Sequence, residues 1–230
     1  MRSFFRRYSH AWIMIGYMMI YIPWFIFLEH TVVRNYHIIH MAVDDIIPFN
    51  ELFIVPYTMW FFYIAATVIY FIFTNKREYM KLSTFLIVGM TLFLIISTLY
   101  PNGDTLRPTV FARDNVFTRM VIHLYHSDTS TNIFPSIHVY NSLGAAFAIM
   151  NSEKLSKKPW IQWGAIILTI LIILSTMFLK QHSAFDVITA FVLATVMYFI
   201  CYVIDFDALK ARSRANTMLR SSILTRSKLN

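Results

Sequence analysis

The sequence predicts an all-α integral membrane protein, a six-helix bundle with both termini on the cytoplasmic side and a partly helical extracytoplasmic loop between spans three and four. Three observations predict it. Of the 230 residues, 57% are hydrophobic and 14% are charged, whereas a soluble domain carries about a quarter charged residues. The apolar residues are gathered in long blocks, and nearly all Lys and Arg lie in short clusters between them, the layout of a polytopic membrane protein. The net charge of +8 therefore reads as membrane orientation, and no nucleic-acid partner is expected. The single cysteine, Cys201, lies in an apolar stretch, which excludes a disulfide framework and a cysteine metal site. With no internal repeat and no low-complexity linker, residues 1–230 read as one domain.

Each span is read from its apolar block. The first runs over about 11–28 and the second over about 52–73, with Pro56 in its first turn, where proline costs a helix little. The third covers 82–99. The fourth is the weakest, because Ile137 to Met150 is short against the roughly 20 residues a spanning helix needs. It is expected to start near Pro135 and run on toward Leu155. Residues 160–179 and 184–204 supply the fifth and sixth, and 205–230 read as a basic cytoplasmic tail.

Orientation follows from counting. Arg2, Arg6 and Arg7 precede the first span, Lys76, Arg77 and Lys81 follow the second, and Lys154, Lys157 and Lys158 follow the fourth. Lys210, Arg212, Arg214, Arg220, Arg226 and Lys228 follow the sixth. These are fifteen basic residues on one side, against five on the other: Arg34, Arg107, Arg113, Arg119 and Lys180. The positive-inside rule then places both termini in the cytoplasm. Asp44, Asp45, Arg107, Ser136, His138, Lys180, His182 and Asp186 all fall at the opposite, extracytoplasmic face.

Three short stretches there carry chemistry. In Lys180-Gln181-His182-Ser183-Ala184-Phe185-Asp186, the spacing of four puts His182 and Asp186 on one helical face. A carboxylate beside an imidazole fixes its tautomer and stabilises its cation, which makes a histidine a useful nucleophile or base. The same pair also suits a helix cap. In Phe134-Pro135-Ser136-Ile137-His138, proline suits a first helical turn, Ser136 and the free N–H groups behind it form an anion cradle, and His138 stands at the mouth of span four. Within Tyr100-Pro101-Asn102-Gly103-Asp104-Thr105-Leu106-Arg107-Pro108, Arg107 offers a guanidinium suited to gripping phosphate oxygens.

In this order, Arg-Pro, then Pro-Ser-x-His, then His-x-x-x-Asp, the stretch from Tyr100 to Asp186 resembles the type 2 phosphatidic acid phosphatase (PAP2) superfamily, which also includes vanadium haloperoxidases and lipid phosphotransferases. The run Asp44-Asp45-Ile46-Ile47-Pro48-Phe49 leading to Pro56-Tyr57 resembles the branch near inositol phosphorylceramide synthases. The resemblance implies that His182 attacks phosphorus, Asp186 orients it, and His138 protonates the leaving oxygen and later activates water or an alcohol. It implies that Arg107, Ser136 and the backbone after Pro135 hold the phosphoryl oxygens, with no metal and no other cofactor. The sequence departs from the family pattern at three places. Tyr100 stands where the first motif has lysine, Ile137 where the second has glycine, and Thr176, after Ser175, where the third has arginine. Lys180 is the expected substitute cation, with Arg113 and Arg119 behind it.

Residues 109–126 carry apolar side chains at near-helical spacing, the pattern of an amphipathic helix on the outer surface. It would either roof the site and guide a lipid headgroup or simply cover the bundle. His123 and His126 have no third ligand nearby in sequence. Asp44 and Asp45 either bind a headgroup or cap the helix that follows. The function expected is hydrolysis of a lipid phosphate or pyrophosphate, of the phosphatidic acid or polyprenyl type, at the extracytoplasmic face. Transfer of the phosphoryl-headgroup to an alcohol is the alternative, and a non-catalytic transporter or lipid-binding scaffold is the rival from another class. Transport is disfavoured because the spans hold almost no ionisable residues.

Overall fold

The computed structural model describes residues 7–204. The expected tail at 205–230, with its six basic residues, and Arg2 and Arg6 lie outside the described residues.

The fold is all-α apart from two two-residue strands. Helix α1 is Trp12–Thr31, with Pro23 inside it. After β1 (His37–Ile38) and the short α2 (Ala42–Ile46), a single 3-10 turn leads into α3, Ile54–Thr74. Helix α4 is Lys76–Leu99, then come β2 (Asn102–Gly103), α5 (Val116–Ser127), α6 (Ile137–Met150), α7 (Pro159–Phe178) and α8 (Ala184–Tyr198), which closes in a π turn at Phe199–Val203. Five of these segments are long and apolar enough to cross a membrane: Ser9–Thr31, Glu51–Thr74, Lys76–Leu99, Pro159–Phe178 and Ala184–Val203.

The apolar blocks and the helices differ where capping groups intervene. Lys76, Arg77 and Lys81 lie in the first turns of α4 rather than in a loop, because Asn75 caps that helix, accepting from the N–H groups of Arg77 and Glu78. Helix α6 stops at Met150 instead of continuing to 155. The Asn151 side chain turns back to the Phe147 carbonyl, and the Ser152 hydroxyl takes the amides of Lys154 and Leu155. At 14 residues it is short for a span. It is also the most enclosed helix of the bundle, with ten residues buried among α3, α4, α7 and α8.

Helices α4 and α6 meet by exchanging small residues for rings. Phe85 on α4 lies over Gly144, Tyr140 on α6 lies over Gly89, and the two rings stack with centroids 4.5 Å apart. The Tyr140 hydroxyl donates to the Phe85 carbonyl at 2.8 Å, a carbonyl one helical turn from Gly89. Small residues that admit a neighbour this closely are the usual seam between membrane helices.

The connections sort to two ends of the bundle. At one end, the amide of Glu153 reaches the Glu78 carboxylate, Tyr8 packs on Phe73, and the Lys81 ammonium lies over the Tyr202 ring. The basic turns 76–81 and 154–158 are therefore at the end where the first and last described helices begin and finish. At the other end, β1 and β2 pair in parallel, with His37 opposite Asn102 and Ile38 opposite Gly103. Thr131 bridges to Gly103 beside them. Buried Asn102 completes this cap by donating to the Tyr100 carbonyl and accepting from the amides of Ile133 and Phe134. That sets the chain that enters Ser136.

A Cβ added at Gly89 would lie 1.9 Å from the Tyr140 ring, while one at Gly16 or Gly164 would meet nothing within 4 Å. Gly89→Ala should therefore destabilise the detergent-solubilised protein by about 1–3 kcal/mol through overpacking. Gly164→Ala should leave its thermal unfolding at or slightly above wild type.

Candidate active site

The site is built where α6 and α8 begin. Ser183 caps α8 and forms a capping box with Asp186, whose Oδ2 accepts from the Ser183 amide at 3.0 Å. The same oxygen lies 3.5 Å from His182 Nδ1, so the carboxylate serves both readings of the motif. Lys180 takes a left-handed conformation (φ 52°) that turns the chain sharply after α7. The amides of Gln181 and His182 then both donate to the Thr176 carbonyl, at 2.9 and 3.1 Å. Position 176 thus anchors the turn through its backbone, with its hydroxyl returned to Ile173.

On the facing helix, the Ser136 hydroxyl caps α6 by accepting from Val139, and the Ser136 amide donates to the Asp186 carbonyl. His138 is held between aromatic rings, with centroids 4.7 Å from Tyr57 and 4.3 Å from Trp60. Its third neighbour is His182, at 5.7 Å. Nδ1 of both histidines and Oδ1 of Asp186 are buried without a hydrogen-bond partner among the described residues. Burial pushes His182 down from 6.5 to about 3, with the Arg107 charge adding to the effect and the Ile133 carbonyl opposing it. The imidazole is therefore neutral at physiological pH, the form with a lone pair to offer a phosphorus atom.

Arg107 is reached from the other side. Its guanidinium donates to the carbonyls of Asp128 and Thr129, both at 2.6 Å, and to Gln181 Oε1 at 2.7 Å, and it lies over the Tyr125 ring. Nε is buried and unpartnered among the described residues. The loop it grips is pinned to α1 by Glu29, which accepts from the Thr129 amide and hydroxyl and from Asn132 Nδ2. Two further acids flank this arginine, and desolvation pushes both upward against its charge: Asp104 to about 7 and Asp128 to about 6.

A small cavity of about 30 Å³ opens among these groups, and His138, Gln181 and His182 line it together with Asn132 and Ile133. The structure thus gathers His138, His182, Asp186, Ser136 and Arg107 at one end of the bundle. Lys180 is close in sequence but differently engaged: its ammonium donates to the Asp44 carbonyl at 2.6 Å. Arg113 pairs with Glu51 and Arg119 with Asp114. Tyr100, one of the two positions where the resembled pattern has a cation, stacks on His37.

Residues 103–210 match the PAP2 superfamily. No curated protein and no solved structure matches the chain. The PAP2 match takes in all six residues singled out from the sequence and leaves out the N-terminal half of the bundle. Among the described residues, no three His, Cys, Asp or Glu side chains come together as a metal site.

Several residues that build the site escape motif reading. Asp44 does not only cap its own helix; its carboxylate takes the Ser183 hydroxyl at 2.5 Å and the Ala184 amide at 2.8 Å, clamping the start of α8. Asp45 instead pairs with exposed His40. Glu29 had a legible signal, a lone carboxylate at the end of an apolar block. Tyr57, Trp60 and Gln181 had none beyond their types.

The two raised acids make stability fall with pH. The contribution of Asp104 is complete below its ordinary value of 3.8 and is lost as pH rises through about 7. His182 works the other way, its contribution being present above 6.5 and lost toward 3. Between pH 6.5 and 8 the acids dominate, so the melting temperature should fall across that window. Asp104→Asn should flatten the fall; an unchanged slope would contradict the assignment.

Proposed function

We propose that the chain is a multi-pass membrane enzyme that removes phosphate from a lipid phosphate or pyrophosphate through a phosphohistidine on His182. Phosphatidic acid and polyprenyl pyrophosphates are the substrate classes it fits. The observation that carries the reading is the buried, neutral His182 set between Asp186 and His138 at a small buried cavity, within a PAP2-matched segment.

In the chemistry proposed, a nitrogen lone pair of His182 forms the P–N bond while the P–O bond to the lipid breaks. His138, protonated once the phosphate-bearing substrate is bound, gives its proton to the departing oxygen. Asp186, 3.5 Å from Nδ1, stabilises the charge that grows on the His182 ring. A water molecule then attacks phosphorus, passes a proton to His138, and breaks the P–N bond, releasing phosphate and restoring neutral His182. Arg107 and the Ser136 hydroxyl, whose proton is free to donate, supply charge and hydrogen bonds where oxygen charge accumulates. Lys180 adds positive potential beside the turn from its place on Asp44.

Substrate class is supported by a second feature. A groove of about 640 Å³ runs between α3 and α5, with Ile54, Phe61, Met120 and Leu124 among its walls and Arg119 and His123 on its α5 side. Tyr57 lines this groove and stacks on His138, so a lipid chain held there would bring its headgroup to the histidines. In the orientation we propose, α6 completes six spans. The basic turns at 76–81 and 154–158 face the cytoplasm, and the site faces the extracytoplasmic side. Enclosure of α6 by its neighbours accounts for its length, since a helix shielded from lipid need not match the bilayer.

One observation favours the alternative, transfer to an alcohol. Glu29, Thr129, Thr131 and Asn132 line the far wall of the cavity with acceptors and hydroxyls, which suits a hydroxyl-bearing acceptor. The likeness of 44–57 to the inositol phosphorylceramide synthase branch points the same way.

Purified protein supplied with a panel of lipid phosphates in EDTA should release phosphate, and His182→Ala should abolish release. Release undiminished in His182→Ala would sink the proposal. Adding a polyol such as inositol and analysing the lipid products separates hydrolysis from transfer.

A further inference from the structure

The PAP2-like pattern calls for cations at positions 100 and 176, and this chain has Tyr100 and Thr176 there. Among the described residues, neither Lys180 nor any other Lys or Arg lines the cavity with His138 and His182. A side chain that does line it is Gln181, which is 3% exposed. Its two amide ends are not equivalent. Arg107 can only donate, so the 2.7 Å contact with Nη2 requires the amide oxygen to face the guanidinium. That leaves the Nε2 amino group turned away, buried and without a partner among the described residues. A buried donor left unmade is costly, a cost that an anionic ligand would remove.

We propose that Gln181 is a phosphoryl-binding residue, its amide oxygen fixed by Arg107 and its amino group donating to a phosphoryl oxygen held between His182 and His138. This rests on the phosphohistidine reading above and deepens it by naming a donor at a cavity whose sequence lacks two expected cations. No bond to Gln181 is made or broken in the reaction. Its place next to His182, on the turn anchored by the Thr176 carbonyl, fixes the distance between donor and nucleophile. Arg107 then acts on the phosphoryl group partly through Gln181, while its other nitrogens hold the 128–129 carbonyls.

Gln181→Glu separates this role from a structural one. A glutamate keeps, and charges, the acceptor that Arg107 requires, but it replaces the amino group with a carboxylate oxygen facing the phosphoryl oxygens. If Gln181 served only Arg107, the new charge would pair with the guanidinium, and binding and turnover would stay within a few-fold of wild type. If Gln181 binds the phosphoryl group, inhibition by orthovanadate and kcat/KM for the best lipid phosphate should both fall on the order of 100-fold, with the melting temperature held within the wild-type range. Wild-type orthovanadate inhibition and kcat/KM in the variant overturn the proposal. Should Gln181→Glu fail to fold, Gln181→Met removes the donor and Arg107's acceptor together at similar volume: weakened orthovanadate inhibition at an unchanged melting temperature supports the assignment, and unchanged inhibition overturns it. Loss of the phosphohistidine reading is distinguishable, because there either wild type releases no phosphate or His182→Ala releases it undiminished.

Discussion

Asp44 reaches 139 residues along the chain to take the Ser183 hydroxyl, and its second oxygen takes the Ala184 amide. Much of the site depends on that contact. Two carboxylates compete for the N-terminal donors of α8, and their division of labour sets the geometry. Asp44 takes Ser183 Oγ and Ala184, while Asp186 takes only the Ser183 amide. Asp186 Oδ2, with only that amide to accept, stands 3.5 Å from His182 Nδ1, and Oδ1 is left without a partner among the described residues. The Asp44 carbonyl holds the Lys180 ammonium as well, so both flanks of His182 are tied to α2.

The remaining architecture serves the same end of the bundle. Close packing of α4 on α6 through Gly89 and Gly144 fixes the helix that carries His138. Asn102 and Glu29 spend their hydrogen-bonding capacity on the 129–134 segment, which delivers Ser136 to its cap and gives Arg107 two carbonyls to hold. Buried polar groups so densely paired make the unpaired ones informative. Nδ1 of both histidines, Oδ1 of Asp186, Nε of Arg107 and Nε2 of Gln181 are unpaired among the described residues, as are Oδ2 of Asp104 and Oδ1 of Asn132 at the same end.

The helices were legible because a bilayer penalises every interrupted or charged span, so composition alone marks α1, α3, α4, α7 and α8. Helix α6 was the faint one, and the reason is physical: enclosed by protein, it needs neither full length nor an unbroken apolar surface. Motif spacing also brought His182, Asp186, Ser136 and His138 to one place, since each pair is local to a helix start. Long-range partners were not legible. That Arg107 would face backbone carbonyls and Gln181, that Lys180 would turn to Asp44, and that Tyr57 and Trp60 would enclose His138 depend on packing between elements far apart in sequence. Asp44 shows the boundary well: capping was readable from its type, but the helix it caps was not.

The central claim is that His182 carries the phosphoryl group. Rapid quench of the enzyme at alkaline pH during turnover of a lipid phosphate, followed by peptide mass spectrometry, tests it most directly. The account predicts a phosphate on His182 that is lost on acid treatment and absent from His182→Ala. Turnover with no phosphorylated intermediate, or with phosphate on another side chain, would contradict it.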